Sequence, residues 1–395
     1  MLCAALTGCD LYRYTALDEN IETIGTIRPD APVNADQPVE NVDSPITDPF
    51  MGVEITFLAA GDNLIHPNIY QDAQSRGTAE KEYDFLPMYT DVADFVAEAD
   101  FAFINQETLM AGEAYGYSGY PTFNSPQQLG RDLVQVGFDI VGLANNHMLD
   151  RRDSGLYDNV LFWDSLPVTT IGASIGEAAP AFLEKDGVTI GMLSYTYGTN
   201  GITQGADAVV KVPYIDRDRI IADLDALAES KPDITIVSMH WGIENVTTPS
   251  DEQRELAQML ADCGVDVILG HHPHCLQPIE WLTGQDGNRT LCIYSLGNLL
   301  SGMARPINQV GGFLQFSIVS DGAGGLVIDH VSFRPTVFYY GPGWYNTHLY
   351  FLEDYTDEIA ATHGVQLSGY TLTAAEARAI VENVIDPAFL PQTNE

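Results

Sequence analysis

The sequence predicts an α/β protein with a largely buried sheet. Three observations carry this. From Val53 onward, short β-rich runs alternate with runs of helical periodicity. Several of the β-rich runs stop at polar loops rich in His, Asn, Asp and Glu. And 45% of the 395 residues are apolar and 10% aromatic, enough for a sizeable core despite the charge.

Residues 53–60 read as the first strand, ending at Gly61-Asp62. Met88, Val92, Phe95, Val96 and Ala99 recur at helical spacing, and a strand at 101–104 follows. A strand at 138–144 ends at Asn145-Asn146-His147, and another spans 189–195. Ile220, Ile221, Leu224 and Leu227 mark a helix before a strand at 234–239, which ends at His240-Trp241-Gly242. Ser250-x-x-Gln253 is a capping box; its helix puts Leu256, Met259, Leu260 and Cys263 on one face and stops at Gly264. A strand at 265–269 runs into Gly270-His271-His272-Pro273-His274, and one at 291–294 into Ser295-Leu296-Gly297-Asn298. Residues 313–319 and 326–333 read as later antiparallel strands. Residues 339–395 are an aromatic-rich extension, either an appended subdomain or a wrap across the core. A second capping box, Thr373-x-x-Glu376, opens its last helix.

Seventeen basic against 55 acidic residues leave a formal net charge of −38. That excludes a nucleic-acid binder working through a basic surface, and it opposes docking on anionic lipid through polybasic segments. No run of 18 apolar residues exists to span a membrane as a helix. The five cysteines include no CxxC, against a zinc ribbon, and Cys275 is expected to be structural. No Gly-x-Ser-x-Gly elbow is present, which disfavours a serine hydrolase.

Leu6-Thr7-Gly8-Cys9 has the small-residue pattern that precedes a lipid-modified cysteine in bacterial lipoproteins. Residues 1–9 are therefore expected to be a truncated export signal, with Cys9 lipidated and the protein held at the cell membrane outside the cytoplasm. The alternative is a short apolar N-terminus with a chance cysteine. Residues 10–51, with Pro29, Pro32, Pro38, Pro45 and Pro49 among acids, read as a tether that buries too little to order itself. A folded domain is expected over 52–338.

Ligand-type side chains gather where strands are expected to end: Asp62 with His66, Glu107, Asn146 with His147, His240, and His272 with His274. Six of the nine histidines lie in these loops, a concentration that packing does not require. Loops at the carboxyl ends of strands are where α/β folds assemble sites. Imidazole with carboxylate suits Zn, Mn, Fe or Co rather than Ca. A shared carboxylate can bridge two such ions, roughly 3.5–4 Å apart, that activate a water together. His-Pro-His spacing lets His272 and His274 converge if that segment is extended. Arg151 and Arg152 follow the Asn-Asn-His loop; their guanidinium forks suit a substrate carboxylate or phosphate, and the alternative is a pair of salt bridges to Asp150 and Asp153.

Asp62, Asn-x-Glu107, Asn-Asn-His147, His240-Trp-Gly, His-Pro-His274 and Ser-Leu-Gly-Asn298, in that order, resemble the CapA family of poly-γ-glutamate capsule proteins. That family is similar to the calcineurin-like metallophosphoesterases, and the resemblance runs from about residue 53 to residue 333. It implies a four-layer α/β/β/α sandwich of the metallo-dependent phosphatase type and two divalent transition-metal ions. By position, Asp62, His66 and His274 would hold one ion, Asn146, His240 and His272 the other, with Glu107 bridging and His271 a neighbour. The phosphoesterase Asp-x-His spacing is stretched here to Asp62-x-x-x-His66. His147 would be the general acid or transition-state stabiliser. The implied partners are an anionic γ-glutamyl polymer or cell-envelope peptide and capsule-synthesis membrane proteins. A phosphomonoesterase or phosphodiesterase, or a polymer-binding module with structural metal, are the alternatives.

Overall fold

A computed structural model describes residues 48–391 of the chain. The expected export signal with Cys9, and the expected tether up to residue 47, lie outside the described residues. The first half holds β1 (Glu54–Leu64), β2 (Phe101–Gln106), β3 (Ile140–Gly142), β4 (Thr169–Ile171), β5 (Ala181–Lys185), β6 (Val188–Thr196) and β7 (Ile234–His240). After these come β8 (Val267–His271), β9 (Leu276–Thr283), β10 (Arg289–Leu296), β11 (Asn298–Ser301), β12 (Val310–Ser320), β13 (Leu326–Tyr339) and β14 (His348–Phe351). The helices are α1 (Pro67–Ser75), α2 (Ala93–Ala97), α3 (Gln128–Val136) and α4 (Arg152–Asp164), then α5 (Arg217–Glu229), α6 (Asp251–Asp262), α7 (Asp357–Ala360) and α8 (Ala374–Glu382).

The fold is mixed α/β with two sheets. One runs β14-β13-β12-β1-β2-β3-β4, with β11 also pairing β1; the other runs β5-β6-β7-β8-β10-β9. β1 to β4 are mutually parallel, as are β6, β7, β8 and β10. The antiparallel strands lie towards the edges. Side-chain alternation divides the second sheet. Ile190, Ile236, Leu269 and Ile293 join the core of the first sheet, beside Phe57 and Phe103. Tyr195, Val237, Met239 and Ile268 point the other way, against Ile220 and Leu224 of α5 and Leu256 and Leu260 of α6. Two sheets thus share one core, with α5 and α6 covering the far face of the second. Leu133 of α3, Val160 of α4 and Val381 of α8 pack with the first.

Local signals are realised where they are strongest. Both capping boxes form, at Ser250/Gln253 and Thr373/Glu376, and Gly264 takes the left-handed conformation just past α6. The apolar spacing over 88–99 does not produce one helix. A single 3-10 turn at Leu86–Met88 and the five-residue α2 share it. Met88, Val92 and Val96 are still fully buried, so the periodicity reports the buried face and not helix continuity. The strand expected at 138–144 shortens to β3, because pairing to β2 and β4 ends at Gly142 and the chain turns into the Asn145–His147 loop. Cys275 is buried, and burial raises its thiol to about 12, the behaviour of a structural cysteine.

Residues after 338 add β14 to the edge of the first sheet and place α8 against β12. His363 helps hold this segment. It is 1% exposed, its Nε2–H donates to the Phe338 carbonyl at 3.1 Å, and its Nδ1 accepts from the Val365 amide at 3.2 Å. The Val365 bond needs the neutral ring, and burial lowers the pKa from 6.5 to about 4 although the bond to the Phe338 carbonyl pulls the other way. The unfolded chain takes up this proton first as pH falls. The contribution of His363 should therefore be intact above pH 6.5 and decline towards pH 4, with about 2 kcal/mol gone by pH 5. Urea midpoints of wild type and His363→Gln at pH 7 and pH 5 check this: the gap between them should narrow at pH 5. A pH-independent gap would remove the assignment.

Candidate metal centre

β1 delivers Asp62 to the end of both sheets. The strand shifts register between Ala60 and Asp62, a bulge that re-aims the side chain. Gly61 permits the approach of the β10–β11 turn, since a Cβ there would stand 2.1 Å from the Gly297 carbonyl oxygen. Asp62 is fully buried and its carboxylate is saturated. Oδ1 accepts from Asn105 Nδ2 at 2.9 Å and pairs with His271 Nδ1 at 3.1 Å. Oδ2 accepts from the His272 amide at 3.2 Å and lies 3.1 Å from His274 Nδ1. Burial alone would raise its pKa, but the bonds to and charges of His271 and His274 outweigh that and hold it well below the usual carboxylate range.

Glu107, just beyond β2, is the opposite case. It is fully buried and neither carboxylate oxygen has a hydrogen-bond partner. His274 Nε2 and His240 Nε2 stand 3.5 and 3.6 Å from its Oε1, longer than hydrogen bonds. Burial first, then the charges of Asp62, Glu244 and Asp150, push its pKa well above the usual value against the pull of His274.

His240 ends β7, and its Nε2 meets Asn146 Oδ1 at 3.1 Å while Nδ1 is unpartnered. His272 and His274 follow β8. Their convergence does not come from an extended segment: both have left-handed backbones, with φ of 95° and 55°. Such conformations cost about 1–3 kcal/mol each in a non-glycine residue and persist where surrounding structure imposes them. Burial lowers the His272 pKa to about 3; for His274 the Glu107 and Asp62 charges overcome burial and raise it to about 10.

Two ligand sets result. Asp62, Glu107 and His274 bring one ligand atom each within 4.8 Å of one another, and so do Glu107, His240 and His272. Glu107 belongs to both, the position of a bridging carboxylate, and Asn146 adjoins the second through His240. The chemistry of the donor set fits divalent transition ions. Glu107 Oε1 and Oε2, His240 Nδ1 and His272 Nδ1 are buried polar atoms without partners, which an apolar or merely structural cluster would not leave.

His66 stands outside both sets. β1 ends at Leu64 and α1 begins at Pro67; between them, His66 Nδ1 accepts from the Gly302 amide at 3.0 Å and lies 3.1 Å from the Leu64 carbonyl. His271 is a neighbour that orients Asp62. His147 sits on the β3 loop with Nδ1 2.7 Å from Asp150 Oδ2, which also accepts the Phe123 amide. The Phe123 ring abuts His147 edge-on at 4.7 Å.

The two arginines separate. Arg151 Nη1 donates to the Asp150 carbonyl at 3.0 Å and Nη2 to Ser118, whereas Arg152 is exposed at a φ of 59°. Among the described residues neither makes a salt bridge to the Asp150 or Asp153 carboxylate. Asp150 is taken by His147, and Asp153 accepts from the Gly205 amide.

Three further participants were not assigned to the site from the sequence. Tyr197 lies parallel to His240, within 6°, and 4.5 Å from His272, walling the second set. Asp150 orients His147. Glu244, two residues past His240-Trp-Gly, forms a further set with His272 and His274; it could have been read from that loop.

Residues 56–303 match the family model of the bacterial capsule synthesis protein PGA_cap. The PGA biosynthesis protein CapA of Bacillus subtilis (strain 168) is 30% identical over 205 residues, 49% of this chain and 50% of that protein. The capsule biosynthesis protein CapA of Bacillus anthracis is 29% identical over 179 residues, 42% of this chain and 41% of that one. The chain thus spans half the length or less of these curated relatives. Among solved structures, the calcineurin-like phosphoesterase YfkN from Bacillus subtilis is similar with a TM-score of 0.43 and 12% identity, over 84% of this chain and 97% of that one. Every residue of the two ligand sets lies inside the matched region, and the chain belongs to the family of bacterial capsule synthesis proteins PGA_cap.

Proposed function

We propose that the protein is a two-metal hydrolase or transferase acting at a γ-linked amide of an anionic γ-glutamyl polymer or cell-envelope peptide, outside the cytoplasm. One observation carries the catalytic part: a buried, unpartnered Glu107 shared by two ligand sets. Asp62 and His274 complete one set, His240 and His272 the other, with Asn146 beside the second. These residues would hold the divalent ions, which when bound would supply Lewis acidity to the attacking water and the scissile carbonyl. The chain's own residues do the rest. Asp150 holds His147 by Nδ1, which leaves Nε2 to hand a proton to the departing amine. Tyr197 covers His240 and His272, and Phe123 covers His147.

The deciding experiment is a turnover panel with Mn or Zn, comparing γ-linked oligoglutamate with a generic phosphoester. Cleavage or transfer of the oligoglutamate is the expected result. Turnover of the phosphoester alone makes the protein a phosphoesterase; bound metal without turnover of either leaves a polymer-binding module.

At a net charge of −38, attraction for a polyanion has to be local, because long-range repulsion is screened over about 8 Å at physiological salt. Arg152, exposed and unpaired by any described acid, is the better placed of the two arginines for a substrate carboxylate. Arg152→Ala should weaken oligoglutamate binding about tenfold in calorimetry, without change in metal content. Equal affinities would return it to a surface role.

Lipidation at Cys9 would place this chemistry at the membrane surface. Cys9→Ser should move the protein from the membrane to the soluble fraction, as judged by fractionation and immunoblot; unchanged retention would exclude this anchor.

A further inference from the structure

Beside the metal centre lies a recess of about 340 Å³, within the size range of ligand pockets, that the proposed chemistry does not use. His66 forms its inner wall. Its ring meets Phe123 edge-on at 5.2 Å, and Phe123 in turn meets His147, so one phenyl ring separates the recess from the expected proton donor. Asn68 and Gln71 of α1 form one side, and Trp344 and Tyr345, from beyond the family-matched region, form the other.

The outer wall is built at a cost. Trp344 has a φ of 69°, which a bulky residue adopts only under constraint, and the preceding Gly343 is also left-handed at 79°. The constraint is visible. Asp72 of α1, 1% exposed, accepts the Asn346 amide at 3.1 Å, the Thr347 amide at 2.8 Å and the Thr347 hydroxyl, and is paired with Arg76 at 2.6 Å. Arg76 also donates to the Thr347 carbonyl. Trp344 itself stacks on Tyr340 at 4.2 Å with 10° between the planes. A buried carboxylate thus pins the turn to α1 and sets two aromatic rings opposite Asn68. The Nδ2 of Asn68 is buried and has no partner. A buried amide donor left unpaired beside a recess points to an acceptor that binds there.

We propose that this recess is a second substrate subsite, taking the uncharged amide-and-methylene backbone of a γ-linked polyamide chain whose reacting bond lies at the metal centre. No acidic or basic side chain other than His66 lines it, so it suits the neutral part of such a chain. Each γ-linked unit offers two methylenes and a planar amide. The methylenes and the amide plane lie against the aromatic rings, and the carbonyl accepts from Asn68. The occupant rests on the γ-glutamyl reading above; the wall itself does not.

The test is calorimetric titration of the full chain with γ-linked oligoglutamates of increasing length. Wild-type affinity should rise once the chain is long enough to reach the recess. Trp344→Ala and Asn68→Ala should each lose about tenfold for long chains while leaving the shortest oligomer and the metal content unchanged. Trp344→Phe should recover most of the loss. Should Trp344→Ala fail to fold, Asn68→Ala decides. Length-independent wild-type affinity, or variants that bind long chains as tightly as wild type, would overturn the subsite while the short oligomer still reports on the centre. Absence of binding at every length would overturn the γ-glutamyl reading, and this occupant with it.

Discussion

Glu107→Gln should abolish stable metal binding in both ligand sets and lower turnover by at least about a thousandfold, a loss on the scale of removing a central electrostatic element. Metal content by elemental analysis after reconstitution with Mn should fall from close to two ions per chain to near none. Asp62→Ala and His240→Ala should each weaken one set more than the other, since each belongs to one set only. The same change should have the opposite effect on the metal-free fold. Glu107 is a fully buried carboxyl whose two oxygens bond nothing, and such a group costs stability that an isosteric amide largely avoids. Metal-free Glu107→Gln should therefore melt above metal-free wild type. Adding metal should reverse the order, because only wild type gains the binding free energy. Wild type that holds no transition metal after reconstitution would end the hydrolase reading.

Much of this centre was legible in the sequence because it is built from strand ends. Asp62, Glu107, His240, His272 and His274 each follow an apolar run, and parallel strands carry whatever follows them to one side of the fold. The α6 and α8 starts were legible for a different reason: a capping box closes within four residues and needs no tertiary partner. What escaped depends on contacts distant in sequence. α1 and α4 show no single apolar stripe; α1 buries Asp72 for its bonds to residues 346 and 347. In α4, buried Asn159 donates no periodic signal but accepts the Met110 amide through its side chain. The left-handed turn at His272 and His274 is likewise imposed from outside, since neither residue prefers it. His66 shows the limit of spacing as a guide. Three residues separate it from Asp62, but the strand ends between them and its Nδ1 accepts from the Gly302 amide.

The role of His147 is the sharpest remaining test, because a proton donor and a ligand respond differently to removal. His147→Ala should keep the metal and lower turnover of an unactivated γ-glutamyl amide by about 10²–10⁴. A γ-glutamyl anilide with a strongly electron-withdrawing ring needs little proton transfer to its leaving group, so its turnover should fall far less. Asp150→Asn should act in the same direction through the ring's charge. Asp150 Oδ2 accepts from both His147 Nδ1 and the Phe123 amide. An asparagine oxygen in the Oδ2 position could keep both bonds, but the side chain would no longer carry the negative charge that favours the imidazolium proton donation requires. The loss should be smaller than for His147→Ala and should likewise shrink with the activated anilide. Loss of metal in His147→Ala would make the residue a ligand or a structural group. An equal loss on both amides, with metal retained, would instead make it a charge stabiliser that acts before the leaving group departs.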